Sequence, residues 1–194
     1  DVPLHPEDRE LPPEALMKKL EAWLRRHDQD TSNLTSLLPL VVGLPIRLTD
    51  SEDRKRQLYR GRRGFIHGWT LDAACQQQEL NGEWLLDRLP LVIYIHFPEA
   101  QWQIGTLPVG VFPLKPRSRA WKVNEYSGIE ARRIGYIIIP DFGSTPHMIQ
   151  SATLDAEFAD AQDAASTVST SAMISAYVCF SRVRRAARIC ILQP

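Results

Sequence analysis

LPLVVGLPIRLTD, residues 38 to 50, marks a change in the character of the chain from helix to strand. Its apolar runs are short, and Gly43 and Pro45 interrupt them, which is typical of a strand, a kink and a second strand. Further strands are predicted at residues 64–69, 89–97, 102–107 and 110–116, which are rich in β-branched or aromatic residues. Five or six short strands at this spacing predict a small β-barrel of the SH3 or OB type.

The residues before this β-rich part predict a helix from about Pro13 to His27. Two prolines stand at its start, where a missing N–H costs nothing. Apolar side chains then recur at helical spacing, opposite a basic face, at Leu16, Leu20, Trp23 and Leu24. Between the predicted strands, residues 71–87 are expected to form a helix or a loop.

The last third of the chain predicts an α/β arrangement. RRIGYIIIP, residues 132–140, is a continuous apolar run that indicates a buried, parallel strand. We expect a helix through Met148 to Leu154, then a loop at residues 160–171. Two further strands are predicted at residues 175–183 and 187–193. Strand, helix and strand joined by short links indicate an α/β fold.

The composition excludes several classes of protein. Of 194 residues, 44% are hydrophobic and 24% charged, and 23 basic residues balance 23 acidic ones. No overall field therefore draws the chain to nucleic acid or membrane, and no apolar run is long enough to span a bilayer. Three scattered cysteines argue against a disulfide framework and a zinc site, and favour a reducing, intracellular compartment. The abrupt ends of the sequence lead us to expect a piece of a longer protein.

A basic segment, RKRQLYRGRRG at residues 54–64, is the first candidate site. It carries six cations around one tyrosine, namely Arg54, Lys55, Arg56, Arg60, Arg62 and Arg63. Such a cluster could hold a phosphate backbone, with an affinity that falls as salt rises. The alternative is a solvated hairpin that the upstream acids Asp50, Glu52 and Asp53 partly neutralise.

A second basic cluster, SRVRRAAR, spans residues 181–188. Arg182 would follow a strand and a hydroxyl residue, so it could reach an anion at the carboxyl edge of a sheet. The alternative is a surface arginine in a salt bridge. His147 stands alone, because no HxxH or HExxH pattern surrounds it, and a turn histidine is the simpler interpretation. Trp69, near the basic segment, is the one tryptophan considered for base stacking.

Two motifs give the chain a definite resemblance. TPHMIQSATL, residues 145–154, resembles the T-x-H-x-x-Q-G-x-T-L signature, motif V, of superfamily 1B helicases of the RecD and PIF type. AYVCFSRV, residues 176–183, is similar to the Y-V-A-L-S-R signature, motif VI, that follows it. The run from residue 38 to residue 69 also resembles the upstream part of this family. The likeness covers roughly residues 38–194.

The resemblance implies a fold and a division into segments. The fold class is α/β, part of a RecA-like second motor domain of the P-loop NTPase kind, with an inserted small SH3-like β-barrel. Residues 1–37 would be an N-terminal helix and linker, residues 38–125 the SH3-like insert, and residues 126–194 the motor segment with motifs V and VI. The partners implied are single-stranded DNA and a missing N-terminal RecA-like domain, with no membrane involved.

The resemblance also implies roles for single residues. Arg182 would be the arginine finger for ATP hydrolysis, with Gln150 and Ser151 near the nucleotide. Thr145 and His147 would contact single-stranded DNA. In the insert, Arg60, Arg62 and Arg63 would contact it as well. ATP and Mg²⁺ would bind only in the full motor, because this sequence contains no Walker A motif and no GxGxxG loop.

The sequence departs from the family pattern at several positions. Ser151 replaces the glycine of motif V, and Arg60 replaces the asparagine of an N-G pair. A stand-alone or degenerate nucleic-acid-binding module without ATPase activity therefore stays open as an alternative. Nuclear, mitochondrial and bacterial cytoplasmic settings are all compatible with the sequence.

Overall fold

The computed structural model describes residues 2–3, 11–26, 28–35, 37–123, 129–143, 153–160 and 169–192. The chain divides into two compact units, residues 1–142 and residues 143–194. The expected segment boundary at residues 125/126 falls inside the first unit, because strands on both sides of it pair with each other.

The predicted N-terminal helix is confirmed. Helix α1, Pro13–Leu24, has proline at its first position. Its Trp23 is buried and meets Trp121 edge-on, with ring centroids 5.6 Å apart. Trp121 belongs to a three-stranded antiparallel sheet. Its strands are β1 (Val2–Pro3), β8 (Arg117–Lys122) and β9 (Glu130–Gly135), in the order β1-β9-β8. Helix and sheet thus share a small core, which Leu20, Val123 and Ala131 complete.

Five further strands form the main sheet of the first unit. They are β2 (Pro45–Leu48), β3 (Arg63–Thr70), β6 (Val92–His96), β7 (Val111–Leu114) and β10 (Ile138–Pro140). The order is β10-β2-β3-β6-β7, and each adjacent pair is antiparallel. The β-rich character predicted from residue 38 onwards is therefore confirmed. Within the described residues the pairing leaves β10 and β7 as edges, so this sheet is open and does not close into a barrel.

Side-chain alternation gives the main sheet an inner and an outer face. Ile66 and Ile95 lie opposite each other on β3 and β6 and are buried in the core. Phe65 and His96, one position along, form the next pair and point to the outer face. A register shift between Ile66 and Gly68 adds a bulge to β3. The outer face of β3 is consequently free to carry polar and aromatic groups.

Three local predictions in the β-rich part are wrong. The run at residues 38–44 contains a turn in place of a first strand, with Gly43 at a φ of 84°. Residues 102–107 also form a turn, around Gly105 at a φ of 53°. Residues 71–87, expected as helix or loop, contain a hairpin of β4, Gln77–Leu80, and β5, Glu83–Leu86. Its turn is Asn81-Gly82 with both φ angles positive, as a two-residue hairpin of type I′ requires.

The prediction of one buried, parallel strand at residues 132–140 is also wrong. The run is divided between β9 and β10, which pair antiparallel in two different sheets. At the junction Gly135 approaches the backbone closely, because a Cβ there would lie 3.0 Å from the carbonyl oxygen of Thr35. The chain can change sheets there because Gly135 has no side chain. The composition of an apolar run does not show whether it forms one strand or two, or whether the pairing is parallel or antiparallel.

The second unit contains a β–α–β element. Its elements are strand β11 (Glu157–Asp160), helix α2 (Thr170–Phe180) and strand β12 (Ile189–Leu192). Strand β12 pairs with β11 in parallel. A helical crossover between parallel strands is the usual α/β connection. The predicted final strand is confirmed. The strand predicted at residues 175–183 is wrong, because most of these residues lie in α2. The helix predicted at Met148 to Leu154 lies mostly outside the described residues, and Leu154 pairs with Val183 in an extended bridge.

Candidate nucleic-acid interface

The basic segment folds as two successive turns after β2. In the first turn, the Asp53 carboxylate accepts hydrogen bonds from the backbone N–H groups of Lys55 and Arg56, at 2.9 and 3.2 Å. Asp53 also pairs with the Arg56 guanidinium. Leu58 is buried and pairs with Asp53 in a short antiparallel bridge. The buried leucine fixes the segment to the core and leaves its cations at the surface.

The second turn carries Arg60 at its tip. The N–H of Arg62 donates to the Tyr59 carbonyl at 3.0 Å, and Gly61 adopts a φ of 88°. A β-turn of type II requires a positive φ at its third position, which glycine adopts without strain. Gly61 and Arg62 also exchange hydrogen bonds with Leu48. The turn is thus part of the main sheet, so Arg62 and Arg63 enter β3 in a fixed register.

The upstream acids neutralise the basic segment less than expected. Asp50 pairs with Arg117 and Arg119, and Glu52 pairs with Arg117 at 2.7 Å. The hydrogen bond from Arg119 holds the pKa of the Asp50 carboxyl below its usual value. Only Asp53 of the three acids pairs with the segment, considering the residues that the structure describes. The segment therefore keeps a net positive charge.

The three arginines named from the sequence differ in their surroundings. Arg60 is exposed, and its side chain has no ion-pair partner within the described ranges. Arg62 pairs at 3.3 Å with Glu99, a side chain that is 83% exposed. Arg63 is 57% exposed and pairs at 2.7 Å with the buried carboxylate of Asp141. The exposed pair of Arg62 with Glu99 contributes little to stability, so the Arg62 guanidinium can turn to a ligand at small cost.

A shallow groove of about 390 Å³ lies beside the second turn. It is lined by Gly61, Arg62, Arg63, Phe65, Pro98 and Glu99. The structure thus brings together two of the three predicted arginines and adds an exposed aromatic ring. Phe65 was not singled out in the sequence, although it follows the last arginine by two positions. That spacing on a strand would have placed both on one face.

Trp69 is not a stacking platform in this structure. It lies opposite Ile93 on the inner face of the main sheet and packs against the core. Trp84, on β5, is by contrast 63% exposed. On β3 the bulge lies between Phe65 and Trp69, and it leaves Phe65 on the outer face and Trp69 on the inner face.

Arg182 follows a helix, whereas we expected a strand before it. Ser181 caps the carboxyl end of α2, and the Arg182 side chain donates to the Val178 carbonyl at 3.1 Å and to the Ser181 hydroxyl at 2.7 Å. A cation at this end of a helix interacts favourably with the exposed carbonyl groups. Arg184, Arg185 and Arg188 are exposed after it. Arg182 is thus held in one orientation beside its own helix.

Four further site residues were predicted from the helicase resemblance. Thr145, His147, Gln150 and Ser151 lie outside the described residues. In the part of the chain that the structure describes, no group of three or more His, Cys, Asp or Glu side chains could hold a metal ion. No helix there has the length and apolar character needed to cross a membrane.

No protein-family model and no curated protein matches the chain. Among solved structures, the chain is similar to a Pif1 helicase from Candida albicans, at 16% identity and a TM-score of 0.52, over 87% of this chain and 36% of that one. It is also similar to a Pif1 helicase from Bacteroides in complex with ADP-AlF3 and single-stranded DNA, at 15% identity and a TM-score of 0.51, over 93% of this chain and 38% of that one.

The chain therefore spans little more than a third of the length of either solved helicase. In another Pif1 structure that it matches, the share is 27%. Identities this low establish the fold alone. The chain has the fold of a region of the Pif1 helicases, which confirms the resemblance drawn from its motifs.

Proposed function

We propose that this chain is the C-terminal part of an ATP-dependent DNA helicase. Arg60, Arg62 and Arg63 would hold single-stranded DNA, and Arg182 would serve a P-loop domain outside this sequence. Residues 38–125 would be the SH3-like insert in a second RecA-like domain formed by residues 1–37 and 126–194. The observation that carries the proposal is the basic segment, which keeps a net positive charge at the surface of a fold shared with Pif1 helicases.

The charge distribution supports DNA contact. Asp50 and Glu52 form ion pairs with Arg117 and Arg119. Few acidic side chains therefore compete with a phosphate for the cations of the basic segment. A phosphate chain would replace the exposed pair of Arg62 with Glu99 by charge-assisted hydrogen bonds. Since each phosphate contact releases counterions, the affinity should fall steeply as salt rises.

Arg182 has the chemistry of an arginine finger. Its guanidinium is always charged and presents several N–H donors to a phosphoryl group. In the free chain it donates to neutral oxygens at the end of α2, which an anionic phosphate would outcompete. ATP and Mg²⁺ would supply the phosphoryl group and its charge neutralisation. The triphosphate would rest on the P-loop of the other domain, with Gln150 and Ser151 nearby.

The surface of the second unit supports a further protein domain as a partner. Helix α2 is apolar around its circumference, yet Met173, Ile174 and Tyr177 are exposed. A helix of this composition is normally buried. Phe158 on β11 is exposed as well. A missing motor domain would cover such a surface.

Fluorescence anisotropy of a labelled oligo-dT, at low and moderate salt, tests the DNA contact. We expect salt-sensitive binding that weakens at least tenfold in Arg62→Ala/Arg63→Ala, because two phosphate contacts are lost. His147→Ala should weaken binding as well if motif V contacts DNA. The control is Arg88→Ala/Arg132→Ala, which removes the same charge from other exposed positions.

The outcomes separate the two functions. Loss in both the arginine pair and His147→Ala supports the motor fragment. Loss in the arginine pair alone supports a binding module without ATPase activity. Equal effects of the arginine pair and its control, or absence of binding by the folded chain at low salt, would contradict DNA contact through the basic segment. A GxxxxGK[ST] sequence upstream in the same reading frame would favour the motor.

A further inference from the structure

Phe65 is an aromatic side chain on the outer face of the middle strand of the main sheet. It lies between Pro45 on β2 and His96 on β6 in the strand register. Its neighbours in sequence, Gly64 and Ile66, are buried, so alternation along β3 turns Phe65 outwards. It is 42% exposed. The sheet therefore holds an apolar ring in a fixed place facing solvent.

The same groove presents positive charge next to this ring. Arg63 precedes Phe65 by two positions on one face of β3, a separation of about 6.7 Å along the strand. Arg62 and Pro98 line the groove as well. A ligand that fits it needs an anionic part for the guanidinium groups and a flat apolar part for the ring. A nucleotide unit with an unpaired base combines both.

We propose that Phe65 stacks on a base of single-stranded nucleic acid while Arg62 and Arg63 hold the adjacent phosphates. The inference rests on the proposed function and names the part of the ligand that this groove recognises. In a duplex both faces of an internal base are covered by neighbouring bases. Phe65 would therefore stack on a base of a single strand and not on an internal base of a duplex. Because every base has such a face, the contact is tolerant of sequence.

The Glu99 carboxylate lowers the affinity of the same groove for phosphate. Its carboxylate lies 3.3 Å from the Arg62 guanidinium and is otherwise exposed at the groove wall. A phosphate bound to Arg62 would have to displace this carboxylate and lie near its charge. Glu99→Gln should therefore raise the affinity for single strands severalfold, most strongly at low salt, where charges are screened least.

The test compares two probes of equal length and charge. One is oligo-dT, and the other is an abasic oligonucleotide that keeps the phosphates and lacks the bases. We expect Phe65→Leu to weaken binding of oligo-dT about tenfold and to leave the abasic probe unchanged, since stacking on an aromatic ring contributes roughly that factor. Trp84→Leu, which removes an exposed ring outside the groove, is the matched control and should change neither affinity.

A second variant covers the case in which Phe65→Leu does not fold. Phe65→Trp keeps a flat ring, and its emission should be quenched by oligo-dT and not by the abasic probe. The proposal is overturned if Phe65→Leu binds oligo-dT as the wild type does, or if Phe65→Trp shows no base-dependent quenching. Should Arg62→Ala/Arg63→Ala still lose affinity in that case, the proposed function stands and the stacking contact alone is rejected. If the folded wild type binds neither probe, both fall.

Discussion

Gly64 shows how closely β3 and β6 approach beside the groove. A Cβ at this position would lie 2.8 Å from Cγ2 of Ile95 and 2.9 Å from the carbonyl oxygen of His96. The second contact is with backbone, which cannot move without disturbing the strand pair. A glycine at residue 64 therefore holds the strand that carries Arg63 and Phe65 against its neighbour.

Gly64→Ala should destabilise the chain by about 1–3 kcal/mol, because the added methyl group overpacks the sheet. Gly68→Ala on the same strand is the matched control, since a Cβ there meets no atom within 4 Å. Urea unfolding followed by tryptophan emission measures both. Equal stability of the two variants would show that β3 relaxes without cost.

Asp50→Asn should lower stability near neutral pH and have little effect in acid. The Arg119 hydrogen bond depresses the pKa of Asp50, so its contribution is present above the ordinary value of 3.8. That contribution is lost as the pH falls through the depressed pKa of the folded state. The carboxylate is partly exposed, and such pairs contribute about 0.2–1 kcal/mol.

Urea unfolding of wild type and Asp50→Asn at several pH values from 7 downwards checks this dependence. The difference in the free energy of unfolding should shrink as the pH falls below 3.8. A difference that stays constant over the range would mean that the charge of Asp50 is not responsible.

At the scale of elements, helix α2 depends on the N-cap residue that precedes it. Ser169 has an extended backbone, and its hydroxyl oxygen accepts a hydrogen bond from the Ala172 N–H at 3.1 Å. Serine in this position satisfies one of the free N–H groups that begin every helix. The apolar run that follows is short, so its composition fits a strand as well as a helix. The cap and the turn after Phe180 select the helix.

Ser169→Ala should cost α2 about 1 kcal/mol, because the Ala172 N–H loses its partner. Hydrogen exchange of that amide should then be about fivefold faster. Ser169→Thr keeps a capping hydroxyl and should restore slow exchange. Ser171→Ala makes the same chemical change one residue inside the helix and serves as the control. An unchanged exchange rate in Ser169→Ala would show that water replaces the cap without loss.

At the scale of the whole molecule, the groove and both cores belong to the first unit. Its main core joins residues from the five strands with Leu34, Leu58, Phe97, Tyr136 and Ile137. The buried Arg133 donates hydrogen bonds to Trp23, Thr31 and Leu34, connecting β9 to the end of α1. All five tryptophans also lie in this unit. Tryptophan emission therefore reports on its folding.

A fragment of residues 1–142 should fold and bind oligo-dT through the groove. Its tryptophan emission in buffer should match that of the whole chain, because all five tryptophans belong to this unit. Any affinity that the whole chain gains over the fragment would measure the contribution of residues 143–194, which include Thr145 and His147. A fragment without a cooperative urea transition would contradict independent folding.

The sequence predicted α1, most strands of the main sheet, the basic segment and the helicase resemblance. Each rests on local information, such as helical spacing from Leu16 to Leu24 or a cluster of arginines around Gly61. The hairpin at residues 71–87 has an Asn81-Gly82 turn signal in its sequence, although this segment was predicted as helix or loop. Two runs were less predictable, residues 132–140 in the first unit and the apolar run in α2 of the second, since neither shows a clear period.

Burial and pairing depended on contacts distant in sequence. Asp50 and Glu52 precede the basic segment, but they pair with Arg117 and Arg119 more than sixty residues away, and the segment stays positive. Phe65 faces outwards and Trp69 inwards because a bulge shifts the register between them. Local composition fixes which turns and helices are possible through backbone sterics and capping. Strand register, ion-pair partners and the groove are properties of the folded chain, since each requires residues that only packing brings together.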